Sequence, residues 1–404
     1  MHKTSARRVL GVIGAAFTAV ISVILAIIPA GAMTVTFVRH AESQANADGI
    51  INTEVPGPGI TDTGWSQART LADLLPANPS GIYASTMTRT QQTATPYAAR
   101  IIYGGVTPEN EDKVDVGAAA GSDVRVLDGL QEINAGIFEG SSEDEGLGRL
   151  GYALAPIAWS LGLRFVRIPG SEDGNEFDAR VDAALAEIEA DGSETPVVFS
   201  HGATIMFWTM MNVDNPDPLL LLTHQLDNTE TVVVEKNEDG SWTLKSWGGE
   251  EVGPANLPTQ LFVNARDLIV APQTALYNLS RDVSVDSAAE GVEDVAKATV
   301  KFGTDTVTDL GNAVKGLGSA AQTNSQTAAV AEKADGATDL TTGNKVTPGS
   351  RAAGAVARNN ERVTEAVAGV RNEIAGSVKK VGDTVKKVAE AAKDAAEGAE
   401  KDAA

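Results

Sequence analysis

Residues 34–43 read TVTFVRHAES. Five residues that favour extended backbone, Thr34 to Val38, run straight into Arg39 and His40. Histidine is scarce in this chain: there are four, His2, His40, His201 and His224. A second stretch, PVVFSHGATI at residues 196–205, also takes an apolar strand into a histidine, His201. Two buried-type strands that both end in imidazole are poor candidates for chance core residues. Ligands of parallel α/β sheets sit beyond the carboxyl ends of the strands.

Outward from these two stretches, strand and helix patterns alternate from Thr34 to about Gly248. Strands are expected at 34–39, 81–84, 124–127, 196–200, 230–235 and 241–247, and helices at 62–75, 87–103, 175–190 and 202–211. In the last-but-one helix Phe177, Val181, Ala184, Leu185 and Ile188 share a face. The alternation predicts an α/β three-layer sandwich, a mainly parallel sheet flanked by helices. Residues 230–247 read instead as a hairpin turning at Asp239-Gly240. Residues 104–123 read as an exposed acidic loop, and 257–280 as short apolar helices broken at Pro272.

The 404 residues carry a net charge of −22. Nearly all of it falls between residues 33 and 280, with 13 Lys+Arg against 35 Asp+Glu. Such a surface argues against nucleic acid or anionic lipid as a partner, and an anionic ligand needs a locally basic pocket. The absence of cysteine removes disulfides, thiolate metal sites and cysteine nucleophiles.

The N-terminus pairs a basic MHKTSARR with an uncharged run of about 20 residues and an A-x-A-like site at Ala30-Gly31-Ala32. Residues 1–32 are read as a signal peptide, which predicts a secreted or cell-envelope protein. The alternative is a membrane anchor at residues 9–28, the only way this reading brings the chain to a membrane. An anchor leaves only Pro29 to Met33 as spacer, roughly 17 Å fully extended. A start at Met33 is a third reading. The domain proper is taken as 33–280, with its core at 34–247. Residues 281–404 form an Ala/Gly/Lys/Asp-rich tail, partly helical or disordered, with no aromatic residue after Phe302 and no readable partner.

At the predicted carboxyl edge, His40 and His201 are joined by Arg39 and by Arg89, which opens the helix after the 81–84 strand. A guanidinium grips phosphate through two parallel hydrogen bonds. Two arginines repel a dication, so the set points to an anionic tetrahedral ligand, with no metal and no cofactor. A phosphoester also needs a proton donor for its leaving group. Glu132, just after the 124–127 strand, is the first candidate and Glu139 the second. Such an acid is expected in surroundings that favour its protonated form.

These residues fall within RHAESQAN, GITDTGWSQA, YASTMTRTQQTA, LQEINAGIFEG and VVFSHGATI, in that order. The chain thereby resembles the histidine phosphatase superfamily, the phosphoglycerate-mutase-like fold, over residues 34–247. Ala41 stands where the family's opening motif more often has glycine. The resemblance implies that His40 is the nucleophile and forms a phosphohistidine. It implies that Arg39, Arg89 and His201 hold the phosphoryl group and that Asn46 adds a contact. Glu132 is implied to protonate the leaving alkoxide and then activate water. Ser43 and Gly202 are implied to line the pocket, and His224 matches no motif. The expected activity is hydrolysis of a small phosphomonoester. The alternatives are a mutase-type phosphotransferase and a non-catalytic scaffold presenting a binding tail.

Overall fold

The structure is a computed structural model that describes residues 33–143 and 147–331. The segment read as a leader, 1–32, and the end of the tail, 332–404, lie outside the described residues. Among the described residues no helix is long and apolar enough to cross a membrane.

In chain order the elements are β1 (Thr34–Arg39), α1 (Gln44–Ala47), α2 (Asp62–Leu74), β2 (Ile82–Ser85), α3 (Thr88–Tyr103), α4 (Pro108–Glu111), β3 (Val116–Gly117), β4 (Val124–Leu127), α5 (Leu147–Ser160), α6 (Gly174–Ala190), β5 (Val197–Ser200), α7 (Gly202–Asn212), α8 (Leu220–Thr223), β6 (Thr231–Lys236), β7 (Trp242–Trp247), β8 (Glu250–Glu251), α9 (Leu257–Arg281) and α10 (Val285–Ala331). They form one sheet in the order β3-β4-β2-β5-β1-β6-β7-β8. The first five of that row are parallel and the last three antiparallel. The expected mainly parallel α/β sheet is therefore present. Each expected strand and helix from 34 to 247 falls within one residue of its expected ends. The β6–β7 hairpin turns where expected, with Gly240 at φ +87°.

Alternation along the strands places core on both faces of the sheet. Val35, Phe37 and Val198 pack with Phe177, Val181, Ile205 and Trp208 of α6 and α7. Val38, Val197 and Phe199 pack with Leu71, Ala94 and Tyr97 of α2 and α3. The helices begin where their caps dictate. Thr61 Oγ1 accepts from Gly64 N at 3.0 Å at the start of α2. Asp173 and Glu176 close a capping box at the start of α6. Gly129, after β4, lets α6 come close: a Cβ there would stand 2.0 Å from the Arg180 carbonyl oxygen.

Three segments depart from the sequence expectation. Residues 104–123 hold a short helix, α4, and an edge strand, β3. Residues 147–160 form α5 in spite of Pro156. Residues 257–281 form one helix through Pro272, not several. Contacts on either side of that proline explain it. Arg266 Nη1 donates to the carbonyls of Met210 (3.2 Å) and Val213 (3.1 Å). Gln273 Nε2 donates to the Gly162 carbonyl at 2.7 Å. The tail begins as a single long helix, α10, lying along α9. Gly291 packs on Ala275 there, and Asn264 Nδ2 donates to Asp309 at 2.9 Å.

Arg266 is 3% exposed and serves the open C-terminal carbonyls of α7. We expect Arg266→Ala to lower unfolding stability by about 2–3 kcal/mol in urea denaturation, because two buried carbonyls lose a charged donor. A change below 0.5 kcal/mol would mean α9 is not part of the folding unit.

Candidate active site

The centre of the sheet brings the two histidine stretches together. β1 and β5 are parallel neighbours, with Arg39 paired to Ser200, so the next residue on each strand is a histidine. His40 N donates to the Ser200 carbonyl at 3.0 Å, and the two imidazole centroids lie 5.2 Å apart. β2 flanks β5 on its other side. Ser85 ends that strand, 2.7 Å from His201 Nε2 through its hydroxyl, and Arg89 follows in the first turn of α3.

His40 is buried and its tautomer is set by the backbone. Its Nδ1–H donates to the Ala41 carbonyl at 2.8 Å, which leaves the lone pair on Nε2. Nε2 accepts from Arg89 Nε at 3.0 Å. Burial, and then the charges of Arg89 and Arg39, hold the His40 pKa well below the ordinary imidazole value. His201 is depressed for the same reasons, burial first and Arg89 second. Both rings are therefore neutral at neutral pH. Arg39 Nε and His201 Nδ1 are buried with no hydrogen-bond partner among the described residues. For Arg39 Nε, a buried donor without an acceptor costs roughly 1–3 kcal/mol, a cost that an anion's oxygens remove.

Glu132 reaches this cluster from the turn after β4. Its Oε1 accepts from Ile133 N (2.9 Å), Thr204 N (2.9 Å) and Thr204 Oγ1 (3.0 Å), and its Oε2 accepts from Ala203 N at 3.2 Å. The carboxylate thus sits on the open N–H groups of α7, where the helix dipole favours negative charge. Glu139, the second candidate, is engaged elsewhere. It accepts from Thr53 N at 2.9 Å and Thr53 Oγ1 at 2.6 Å, which fixes the loop whose Asn52 carbonyl receives Arg89 Nη2 at 3.1 Å.

Arg39, His40, Ser43, Asn46, Arg89, Glu132 and Gly202 line one cavity of about 250 Å³, with His201 packed against His40 behind it. The residues named for phosphoryl binding and transfer therefore come together, whereas Glu139 binds Thr53 and His224 pairs with Glu230 at 3.1 Å outside the cavity. A larger hollow of about 370 Å³ lies at the opposite edge of the sheet beside Met33, Asp182 and Lys236, away from both histidines. Chemistry, not volume, marks the site.

Ser43 and Asn46 form a local unit. Ser43 Oγ donates to Asn46 Oδ1 at 3.1 Å, and Asn228 Nδ2 joins the same oxygen at 3.3 Å. Three residues at the site were not read from the sequence. Asn228 also donates to the His40 carbonyl at 2.9 Å. Arg180 donates to the carbonyls of Gly129 and Gln131 at 2.7 and 2.9 Å, holding the Glu132 turn. Glu143 lays its carboxylate 3.5 Å from Arg39 Nη2 and 3.1 Å from Asn46 Nδ2. Within the acidic run SSEDEG nothing sets Glu143 apart.

A family model described as the histidine phosphatase superfamily (branch 1) matches residues 35–111 and 114–249. The PE-PGRS family protein PE_PGRS11 of Mycobacterium tuberculosis is 42% identical over 293 residues, which cover 67% of this chain and 47% of that protein. The chain thus spans about half the length of that relative. The probable phosphoglycerate mutase GpmB of Enterobacter sp. is 31% identical over 183 residues, 43% of this chain and 71% of that one. Among solved structures, a mycobacterial glucosyl-3-phosphoglycerate phosphatase is similar at 20% identity and a TM-score of 0.40, covering 54% of this chain and 99% of that one. A phosphoserine phosphatase of Entamoeba histolytica is similar at 21% identity and a TM-score of 0.39, covering 53% of this chain and 96% of that one.

Glu143 occupies two groups that an incoming anion needs. We expect Glu143→Gln to tighten binding of inorganic phosphate about two- to fivefold in calorimetry, the size of a partly exposed ion pair. Unchanged or weaker binding would show that Glu143 does not compete for Arg39 and Asn46.

Proposed function

The chain belongs to the histidine phosphatase superfamily, and on that footing we propose that it hydrolyses phosphomonoesters through a phosphohistidine on His40. The observation that carries this reading is the state of His40. It is a neutral ring with its proton held on Nδ1 by a carbonyl and its Nε2 lone pair set among two arginines and a second histidine.

In the first step Nε2 attacks phosphorus, the P–N bond forms and the ester P–O bond breaks. Arg39, Arg89 and His201 Nδ1–H neutralise charge on the phosphoryl oxygens, the largest service a site can give this reaction. In the tautomer whose Nε2 accepts from Ser85 Oγ, His201 carries its proton on Nδ1, facing the phosphoryl oxygens. Asn46 Nδ2 supplies a further donor once Glu143 releases it. Glu132 gives a proton to the leaving alkoxide. Its Oε2 has one donor against three on Oε1, so Oε2 is the oxygen with room for that proton. In the second step water attacks phosphorus, its proton passes to Glu132, the P–N bond breaks and phosphate leaves. Ser43 orders Asn46, and Gly202 lets the Arg39 guanidinium lie close to the start of α7: a Cβ there would be 3.2 Å from Arg39 Nε.

A second reading is transfer of the phosphoryl group to another hydroxyl instead of water. The likeness to a probable phosphoglycerate mutase at 31% identity supports it. Product analysis separates the two: free phosphate for hydrolysis, a rearranged ester for transfer.

Two outcomes are expected. His40→Ala should remove phosphate release altogether, and acid-labile label from a ³²P-phosphoester should map to His40 in the wild type; undiminished turnover by the folded variant ends the proposal. Glu132→Gln should slow hydrolysis by about 10²–10⁴-fold for alkyl esters but much less for activated aryl esters, which need no proton on departure. Equal slowing of both classes would remove Glu132 as the acid.

A further inference from the structure

The cavity wall away from the phosphoryl site is mostly apolar, with Arg149 and Gln225 set among apolar side chains. Ala153 of α5, Met206 and Phe207 of α7, Leu221 of α8, Leu226 and Ile50 line it. This apolar surface does not stop at the cavity mouth. Successive helix residues turn by about 100°. On α5, Ala155 and Trp159 face the core and Ala153 faces the cavity. Leu150, Leu154 and Ile157 come next round the helix and stand in solvent, the first two 57% and 58% exposed. Across the mouth, Leu222 of α8 adjoins the cavity residue Leu221 and is 77% exposed. Arg149 Nη2 donates to Gln225 Oε1 at 2.9 Å, which ties α5 to the segment after α8 and keeps the two apolar rims together. From Leu150 to Ile157 the stripe runs about 10 Å along the helix.

We propose that the apolar wall of the cavity, continued onto the exposed stripe of α5 and Leu222, binds the hydrocarbon chain of the substrate, so that the substrate class is phosphomonoesters of long-chain aliphatic alcohols. This rests on the phosphatase reading and narrows it. Three observations select this occupant. The stripe is continuous with the phosphoryl site, so one molecule spans both. The chain's net charge of −22 repels an anionic bilayer, whereas a single amphiphile meets only the local field of Arg39 and Arg89. Exposed leucines and isoleucine arranged as one stripe, not scattered, mark a surface that is covered in use.

The test uses the full chain and n-alkylphosphonates from ethyl to octyl, whose P–C bond is not hydrolysed, at concentrations where they are monomeric. Calorimetric Kd should fall about two- to fourfold for each added methylene, the range for burial of a CH₂ group in a partly open groove. Leu154→Asp, at an exposed position, should flatten the series beyond butyl, and Leu222→Asp should do the same. A Kd independent of chain length, or a series unchanged in both variants, overturns the proposal. So does a ligand-free dimer in sedimentation velocity that Leu154→Asp disperses, which gives the stripe to a second copy. Flotation with phosphatidylcholine vesicles that Leu154→Asp abolishes likewise gives it to a bilayer. Hydrolysis of the n-alkyl phosphates is measured alongside. A steep phosphonate series without phosphate release upholds the chain-binding surface and removes the phosphatase reading, whereas phosphate release with a flat series does the reverse.

Discussion

Two parallel strands held in register put an uncharged imidazole in a positively charged hole. Because Arg39 pairs with Ser200, the residues one step further on each strand are His40 and His201, and their rings meet at the sheet's carboxyl edge. A shift of one residue on either strand turns one of these side chains to the other face of the sheet. Both faces are filled, by α6 and α7 on one side and α2 and α3 on the other, so such a shift also expels a row of valines and phenylalanines from the core. Packing thus fixes the chemistry. Burial then strips water from the rings, and the nearby guanidinium charges make protonation costlier still.

α7 links the site to the rest of the domain. His201 immediately precedes its first turn, Glu132 sits on its open N–H groups and Arg266 serves its last carbonyls. A carboxylate at one end and a guanidinium at the other both match the helix dipole. Arg266 comes from α9, beyond the last strand, so a helix outside the sheet supports the one that carries the site.

The sheet and most helices were legible because their signals are local. Val197–Phe199 is a continuous apolar run of the kind that parallel strands buried on both faces require, Thr34–Val38 is a run of β-formers, and α6 shows its apolar face at Phe177, Val181, Leu185 and Ile188. The histidines and arginines were legible because each lies one step past a readable strand or at a helix start. α5 was missed since LGRLGYALAPIAWS is apolar almost all round, carries Pro156 and lacks the polar face that marks a surface helix. Its unusual composition and its exposed leucines are one fact seen twice. The family resemblance set Glu132 ahead of Glu139, and the contacts supply the physical reason: Glu132 meets α7 and Glu139 meets Thr53. Glu143, Arg180 and Asn228 act through partners more than 45 residues away, so no window of sequence contains their roles.

Nucleophilic attack depends most on the protonation state of His40. Heteronuclear NMR of the ¹⁵N-histidine-labelled chain, titrated from pH 8 downward, reads it directly. The predicted result is a His40 ring with Nδ1 protonated and Nε2 bearing a pyridine-type shift, neutral through pH 6.5 and titrating below that value, as the burial and arginine charges require. A ring already cationic at pH 6.5, or a neutral ring with its proton on Nε2, would contradict it.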